Sequence, residues 1–160
     1  MGQIRRQRIV VGVEGSEGSR AALRWAFDEA QYRSCSVEVV TAYLPTYVPA
    51  APDFGYVPLD PVDLVDEVRK MQDDAVASAM AKHPDLTVTI EQKVIKGRAA
   101  DMLIAAAAGA ALLVVGNRGR GGFRGLLLGS VSQQIAQHAD CPVVIVRSDM
   151  TLDDPEPAGA

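Results

Sequence analysis

Apolar residues in this chain fall into two patterns, and the two alternate. Short continuous runs occur at Arg8-Ile9-Val10-Val11-Gly12-Val13, at Leu112 to Val115 and at Val143-Val144-Ile145-Val146. Runs of this kind suit strands buried on both faces of a sheet. Ser36 to Tyr43 predicts a further strand. Thr87 to Ile95 alternates and is rich in β-branched residues, which predicts a strand with one exposed side, near an edge. Between these runs the apolar spacing becomes helical. From Ser19 to Arg33 the stripe is Ala22, Leu23, Ala26, Phe27 and Ala30. From Val62 to Lys82 it is Leu64, Val68, Met71, Ala75 and Ala79, with acidic residues largely on the opposite, solvated face. Ala99 to Ala108 predicts a short alanine-rich helix stopped by Gly109, and Val131 to His138 a last helix broken by Asp140-Cys141-Pro142.

Strands alternating with helices predict an α/β fold, a parallel sheet with helices on both faces. The segment Leu44 to Pro61 interrupts the alternation. Its five prolines, at 45, 49, 52, 58 and 61, predict a long loop without regular helix or central strand. In such sheets ligands bind beyond the carboxyl ends of the strands. Those ends carry Gly12-Val13-Glu14, Ala42-Tyr43, Ile95-Lys96-Gly97 and Gly116-Asn117, which are expected to face one crevice.

The stretch from Gly116 to Ser130 carries the most chemistry. A glycine- and arginine-rich loop leaves an apolar strand and ends in Gly129-Ser130 at the start of a helix. Unpaired N–H groups and the helix dipole favour an anion there, and glycines let a phosphate approach the backbone. Ser130 is expected to cap the helix and to meet phosphate. Arg118, Arg120 and Arg124 fit either solvated side chains or phosphate contacts. The loop has no Gly-Lys-Ser/Thr, so it is not a Walker A motif. It is not GxGxxG either, because Arg124 stands where the third glycine would fall.

What remains is Gly116-x-x-Gly119, nine residues, then Gly129-Ser130. This spacing resembles the nucleotide-binding signature of the universal stress protein family. Ile9 to Ser16 looks like that family's opening strand and turn, Val94-x-x-Gly97 like its third-strand exit, and Leu112 to Arg147 like its C-terminal third. The resemblance spans about residues 6 to 148. It implies a Rossmann-like open five-stranded parallel sheet in the order 3-2-1-4-5, a homodimer formed through the last strand, Val143 to Val146, and binding of ATP. It implies that Gly116 and Gly119 bring the loop to ribose and phosphates, with Asn117 and Arg118 between them. Gly129, Ser130 and the N–H groups of Val131 and Ser132 would hold phosphates. Gly12, Val13 and Glu14 would border ribose and base, and the main chain of Ala42 would read the adenine edge. Glu14 departs from the family's usual Asp and is one methylene longer. It is a candidate ligand for Mg2+ beside the nucleotide. Ala99 stands where the family usually has proline.

Composition narrows the field further. The net charge of −4 argues against a general nucleic-acid binder. No apolar run reaches the roughly 18 residues of a membrane span. The basic start, Met1 to Arg8, precedes too short an apolar run for a signal peptide, and Arg6 occupies the myristoylation Ser/Thr position. A cytoplasmic protein is expected, with residues 1–148 as one nucleotide-binding domain and the acidic residues 149–160 as a loose tail. Cys35 and Cys141 form no metal-type pair, His83 and His138 read as surface residues at helix ends, and Trp25 as a packing residue. No Ser-His-Asp, Cys-His or paired-carboxylate arrangement is apparent. The expected function is that of a nucleotide-dependent stress-response module. The alternatives are a slow ATPase or phosphotransferase, and a dimeric interaction module with cyclic AMP or no nucleotide.

Overall fold

A computed structural model describes residues 7–45, 47–49, 56–58, 61–120 and 125–148. The expected tail at 149–160, and Arg124 with its neighbours 121–123, lie outside the described residues. The elements run β1 (Arg8–Gly12), α1 (Glu17–Arg33), β2 (Ser36–Tyr43), β3 (Tyr47–Pro49), β4 (Tyr56–Pro58), α2 (Pro61–Ala81), β5 (Ile90–Lys96), α3 (Ala99–Ala106), β6 (Leu112–Gly116), α4 (Ser130–His138) and β7 (Val143–Val146).

Five strands form one parallel sheet in the order β5-β2-β1-β6-β7. Counting only these strands along the chain, the order is the expected 3-2-1-4-5. Two of the continuous apolar runs, β1 and β6, lie inside the sheet, where a parallel strand is covered on both faces, whereas the third, β7, forms an edge. On one face Ile9, Val11, Val37, Val39 and Val114 pack with Leu23, Ala26 and Phe27 of α1 and Ala75, Val76 and Ala79 of α2. On the other, Val10, Val40, Leu113 and Val115 pack with Leu103 of α3 and Ile135 of α4. The alternating strand, β5, is an edge, as its polar positions require.

Several boundaries differ from the sequence expectation by a residue or more, three of them for a visible local reason. Helix α1 starts two residues earlier than Ser19, because Ser16 is its N-cap and accepts a hydrogen bond from the Ser19 N–H at 3.1 Å. Strand β5 starts at Ile90 rather than Thr87. The Thr87 N–H and hydroxyl both donate to Gln31 Oε1 of α1, at 3.0 and 3.3 Å, instead of joining the sheet. Helix α3 ends at Ala106, where Arg8 Nη2 donates to the carbonyls of Ala106 and Ala108 at 2.7 and 3.0 Å, and Gly109 follows with φ of 70°.

The proline-rich segment is the larger correction. It was expected to be loop throughout, yet β3 and β4 pair antiparallel, with Tyr47 opposite Pro58 and Pro49 opposite Tyr56. A two-stranded ribbon tolerates proline because, among the described residues, neither strand has a second neighbour to miss the N–H.

Candidate functional site

The carboxyl ends of β1, β2 and β6 open into a cavity of about 560 Å³. That is within the range of small-molecule sites. Its floor is Gly12, Val13, Val40, Ala42 and Val115. Glu14 and Gly116 stand at the strand exits, and Ala99 and Leu103 of α3 form one wall. The opposite wall is the loop and helix start: Arg118, Gly119, Arg120, Leu126, Leu128 and residues 129–133. The lining thus combines apolar side chains with two arginines, one carboxylate and the start of helix α4.

Helix α4 begins at the cavity. Its first internal bond runs from the Gln133 N–H to the Gly129 carbonyl, at 3.0 Å. The N–H groups of Ser130, Val131 and Ser132 precede it and have no carbonyl four residues back within the helix. The N-cap is Gly129, with φ −76° and ψ 168°, and no side chain caps the helix. This corrects the expectation for Ser130, which is instead the first helical residue and is exposed. Nor does the Gly129 amide remain open, because it donates to the Asn117 carbonyl at 2.7 Å.

Asn117 does not line the cavity. It ties the loop together from behind. Its N–H donates to the Val146 carbonyl at 2.8 Å, and its carbonyl takes the Gly129 N–H. The hydroxyl of Ser132 lies 2.9 Å from the same carbonyl and 3.0 Å from that of Gly129. Asn117 Nδ2 donates to the Leu127 carbonyl at 3.4 Å, while its buried Oδ1 has no partner among the described residues. Gly116 has a packing reason as well as its place in the cavity. A Cβ there would lie 2.5 Å from the Gly18 carbonyl carbon, so the bare α-carbon lets α1 begin directly against the strand exit. Gly119 instead faces Glu14, with a Cβ position 3.4 Å from its Oε1.

Glu14 is the one acid in the described lining. Burial pushes its carboxyl above the ordinary value. The Ser16 hydroxyl, which donates to Oε1, opposes that shift first, then Glu14's own N–H, the charge of Arg120 and the Ser19 hydroxyl. Among the described residues no three His, Cys, Asp or Glu side chains group as a metal site. Mg2+ usually keeps waters and takes one or two carboxylates together with a ligand's phosphates. The single carboxylate of Glu14 fits Mg2+ in that role.

Of the residues predicted from sequence, Gly12, Val13, Glu14, Ala42, Gly116, Arg118, Gly119, Gly129, Ser130, Val131 and Ser132 all line this cavity, and Asn117 does not. Ile95-Lys96-Gly97 and Tyr43, expected at the crevice, are also absent from its lining, because α3 closes that side. The sequence reading missed Val40, Ala99, Leu103, Val115, Leu126, Leu128 and Gln133. Ala99 and Leu103 carried a usable signal, since residues four apart on a helix that follows a strand exit share one face. Cys35 and Cys141 are free, and burial pushes both thiols up, so neither is a reactive thiolate.

The sequence matches the model of the Universal stress protein family over residues 5–147. Universal stress protein Rv1996 of Mycobacterium tuberculosis is 34% identical over 139 residues, which cover 87% of this chain and 43% of that one. A universal stress protein of Mycolicibacterium smegmatis is 35% identical over 142 residues, covering 87% and 45%. The chain thus spans less than half the length of these curated relatives. Among solved structures, a universal stress protein in complex with cAMP superposes with a TM-score of 0.63 at 27% identity, covering 90% of this chain and 98% of that one. UspA from Lactobacillus plantarum shares the fold, with a TM-score of 0.72 at 21% identity over 91% and 100%. With its sheet order, its glycine loop and this family match over nearly its whole length, the chain belongs to the universal stress protein family.

Proposed function

We propose that the crevice binds ATP and that the protein is a nucleotide-dependent regulatory module of the stress response. The observation that carries this reading is the mixed lining of one cavity. An apolar slot between Val13, Val40, Ala42 and Leu103 suits a base. The same cavity is lined by the α4 start at 130–132 and by Arg118 and Arg120. A universal stress protein 27% identical to this one forms a complex with cAMP, which supports an adenine ligand. The preference for ATP rests on charge. A cyclic phosphodiester brings one negative charge, whereas two guanidinium groups and a helix N-terminus favour a longer phosphate chain.

In this reading Gly116 and Gly119 approach ribose and phosphates, the Ala42 main chain meets the adenine edge, and Glu14 helps hold Mg2+ beside the phosphates. Residues 1–148 act as one nucleotide-binding domain, and two copies associate through β7. The role is binding rather than efficient catalysis. The described lining offers one carboxylate, already engaged by Ser16, and holding ATP does not by itself stabilise a transition state.

Calorimetric titration with ATP and Mg2+, then with cAMP as competitor, tests the proposal. Saturable one-to-one heat at protein concentrations near about 100 µM, with ATP displacing cAMP, is the expected result. Tighter binding of cAMP than of ATP, or no heat from either, overturns it.

A further inference from the structure

Helix α2 carries a fully buried glutamine on its inner face. Gln72 is 2% exposed, and its Nε2 lies 3.2 Å from the Val39 carbonyl, 2.9 Å from Thr41 Oγ1 and 3.1 Å from the Lys93 carbonyl. One amide nitrogen thus bridges β2 and β5. Thr41, also 2% exposed, passes the connection on: its hydroxyl donates to the Val13 carbonyl at 2.7 Å. The Val13 N–H is held as well, by the Val40 carbonyl at 3.0 Å. Val13 is therefore fixed from both sides just where β1 runs out into the cavity.

The geometry has a direct consequence for the next residue. A peptide unit is planar and trans, so the Val13 carbonyl and the Glu14 N–H point in opposite directions. Fixing the first orients the second, and the Glu14 N–H is one of the groups that support the Glu14 carboxylate. The residue before Gln72 braces the same turn. Gly15 has φ of 86°, and a Cβ there would stand 3.1 Å from Met71 Cγ and Sδ and 2.6 Å from Arg120 Nη2. Adjacent residues of α2 thus hold the Val13-Glu14-Gly15 turn, one by a hydrogen-bond relay and one by contact.

We infer that Gln72, acting through Thr41, is a positioning residue of the crevice: it sets the peptide plane at Val13-Glu14, and nucleotide binding is coupled to the docking of α2. The ligand identity rests on the function proposed above, but the relay does not. Coupling of this kind is reciprocal, so a nucleotide that needs the turn in this form also holds α2 against the sheet. The two protons of Nε2 serve three oxygens, so at least one is shared, and an amide buried among apolar residues is tolerated only while its protons stay paired.

The test uses the full chain and three variants: Thr41→Val, Thr41→Ser and Gln72→Leu. Thr41→Ser keeps the hydroxyl and loses a methyl, whereas Thr41→Val keeps the shape and loses the hydroxyl. ATP affinity by calorimetry and melting temperature are both measured. Thr41→Val and Gln72→Leu are expected to bind ATP about tenfold more weakly, the effect of one lost hydrogen bond on the site, while Thr41→Ser stays near wild type. Wild-type affinity in Thr41→Val overturns the inference. So does affinity that simply follows melting temperature, with Thr41→Ser as weak as Thr41→Val. If Gln72→Leu does not fold, the Thr41 pair decides. If the wild type binds no ATP, the proposed function fails, and amide NMR still tests the relay. The Glu14 and Gly15 signals must move in Thr41→Val and stay in place in Thr41→Ser, and signals unmoved in both variants overturn it.

Discussion

Glu14 sits between two demands. Its carboxylate is drawn out of water, and hydroxyl and guanidinium groups only partly compensate, so the carboxyl is raised above its ordinary value of 4.5. Between 4.5 and the raised value, the folded protein keeps a proton that the unfolded chain has lost. Unfolding free energy therefore falls as pH rises through that window, and the penalty stays constant above it. Glu14→Gln removes the charge. Urea unfolding without nucleotide or Mg2+ is expected to show the Gln variant more stable than wild type at pH 7, with the gain vanishing near pH 4. A gain that does not change with pH contradicts the assignment. Ser132 belongs to the same scale. Its hydroxyl is buried against the Asn117 and Gly129 carbonyls, so Ser132→Ala should lose about 1 kcal/mol. For a chain of this size that lowers the melting temperature by roughly 2–4 °C. An unchanged melting curve would mean the loop does not depend on that hydroxyl.

At the scale of elements, the close approach of α1 to the exit of β6 is the least forgiving contact. A methyl group on Gly116 would meet Gly18 and Ser19 backbone atoms at 2.5 to 2.9 Å, and backbone cannot turn aside as a side chain can. Gly116→Ala is expected to cost about 1–3 kcal/mol, read as a lower urea midpoint with an unchanged slope. A midpoint equal to wild type would show that α1 slides freely. Elements were legible in the sequence to the extent that burial dictates pattern. The strands β1 and β6 are apolar runs because both faces are covered, and β5 mixes charged with half-buried apolar positions because an edge strand meets water. The ribbon of β3 and β4 was not legible, because its prolines argue against strand and its pairing is only three residues long. Gln72 was hidden for a different reason. A polar residue beside an apolar helical stripe reads as solvated, and only the packed sheet reveals acceptors waiting for it. Asn117 misled in the opposite direction. Its place in a ligand-type loop suggested contact with ligand, while its backbone and amide serve the loop itself.

For the whole molecule, the two edges of the sheet differ. β5 carries Glu91, Lys93 and Lys96, and Lys93 is further held to the buried Glu38 at 3.1 Å. Charges of this kind discourage strand addition. β7 is Val143 to Val146 throughout, and among the described residues it pairs with β6 alone. A two-fold dimer joining β7 to its copy would cover that edge. Light scattering at micromolar concentration is expected to give twice the chain mass, and a monomer mass at every concentration would remove the dimer from the account. The sheet order also explains why the crevice is legible in the sequence. Strand order reverses between β1 and β6, where the chain places its glycine loop, so topology and motif converge on one crevice.

The most direct measurement of the central claim is an amide NMR titration of the protein with ATP and Mg2+. The account predicts saturable shifts concentrated at residues 12–14, 116–120 and 129–132. No shifts up to about 1 mM nucleotide, where binding is worth only about −4.1 kcal/mol, would contradict it. So would shifts centred instead on the small polar cleft at Gln31, Cys35 and Thr87 to Thr89, at the other end of the strands.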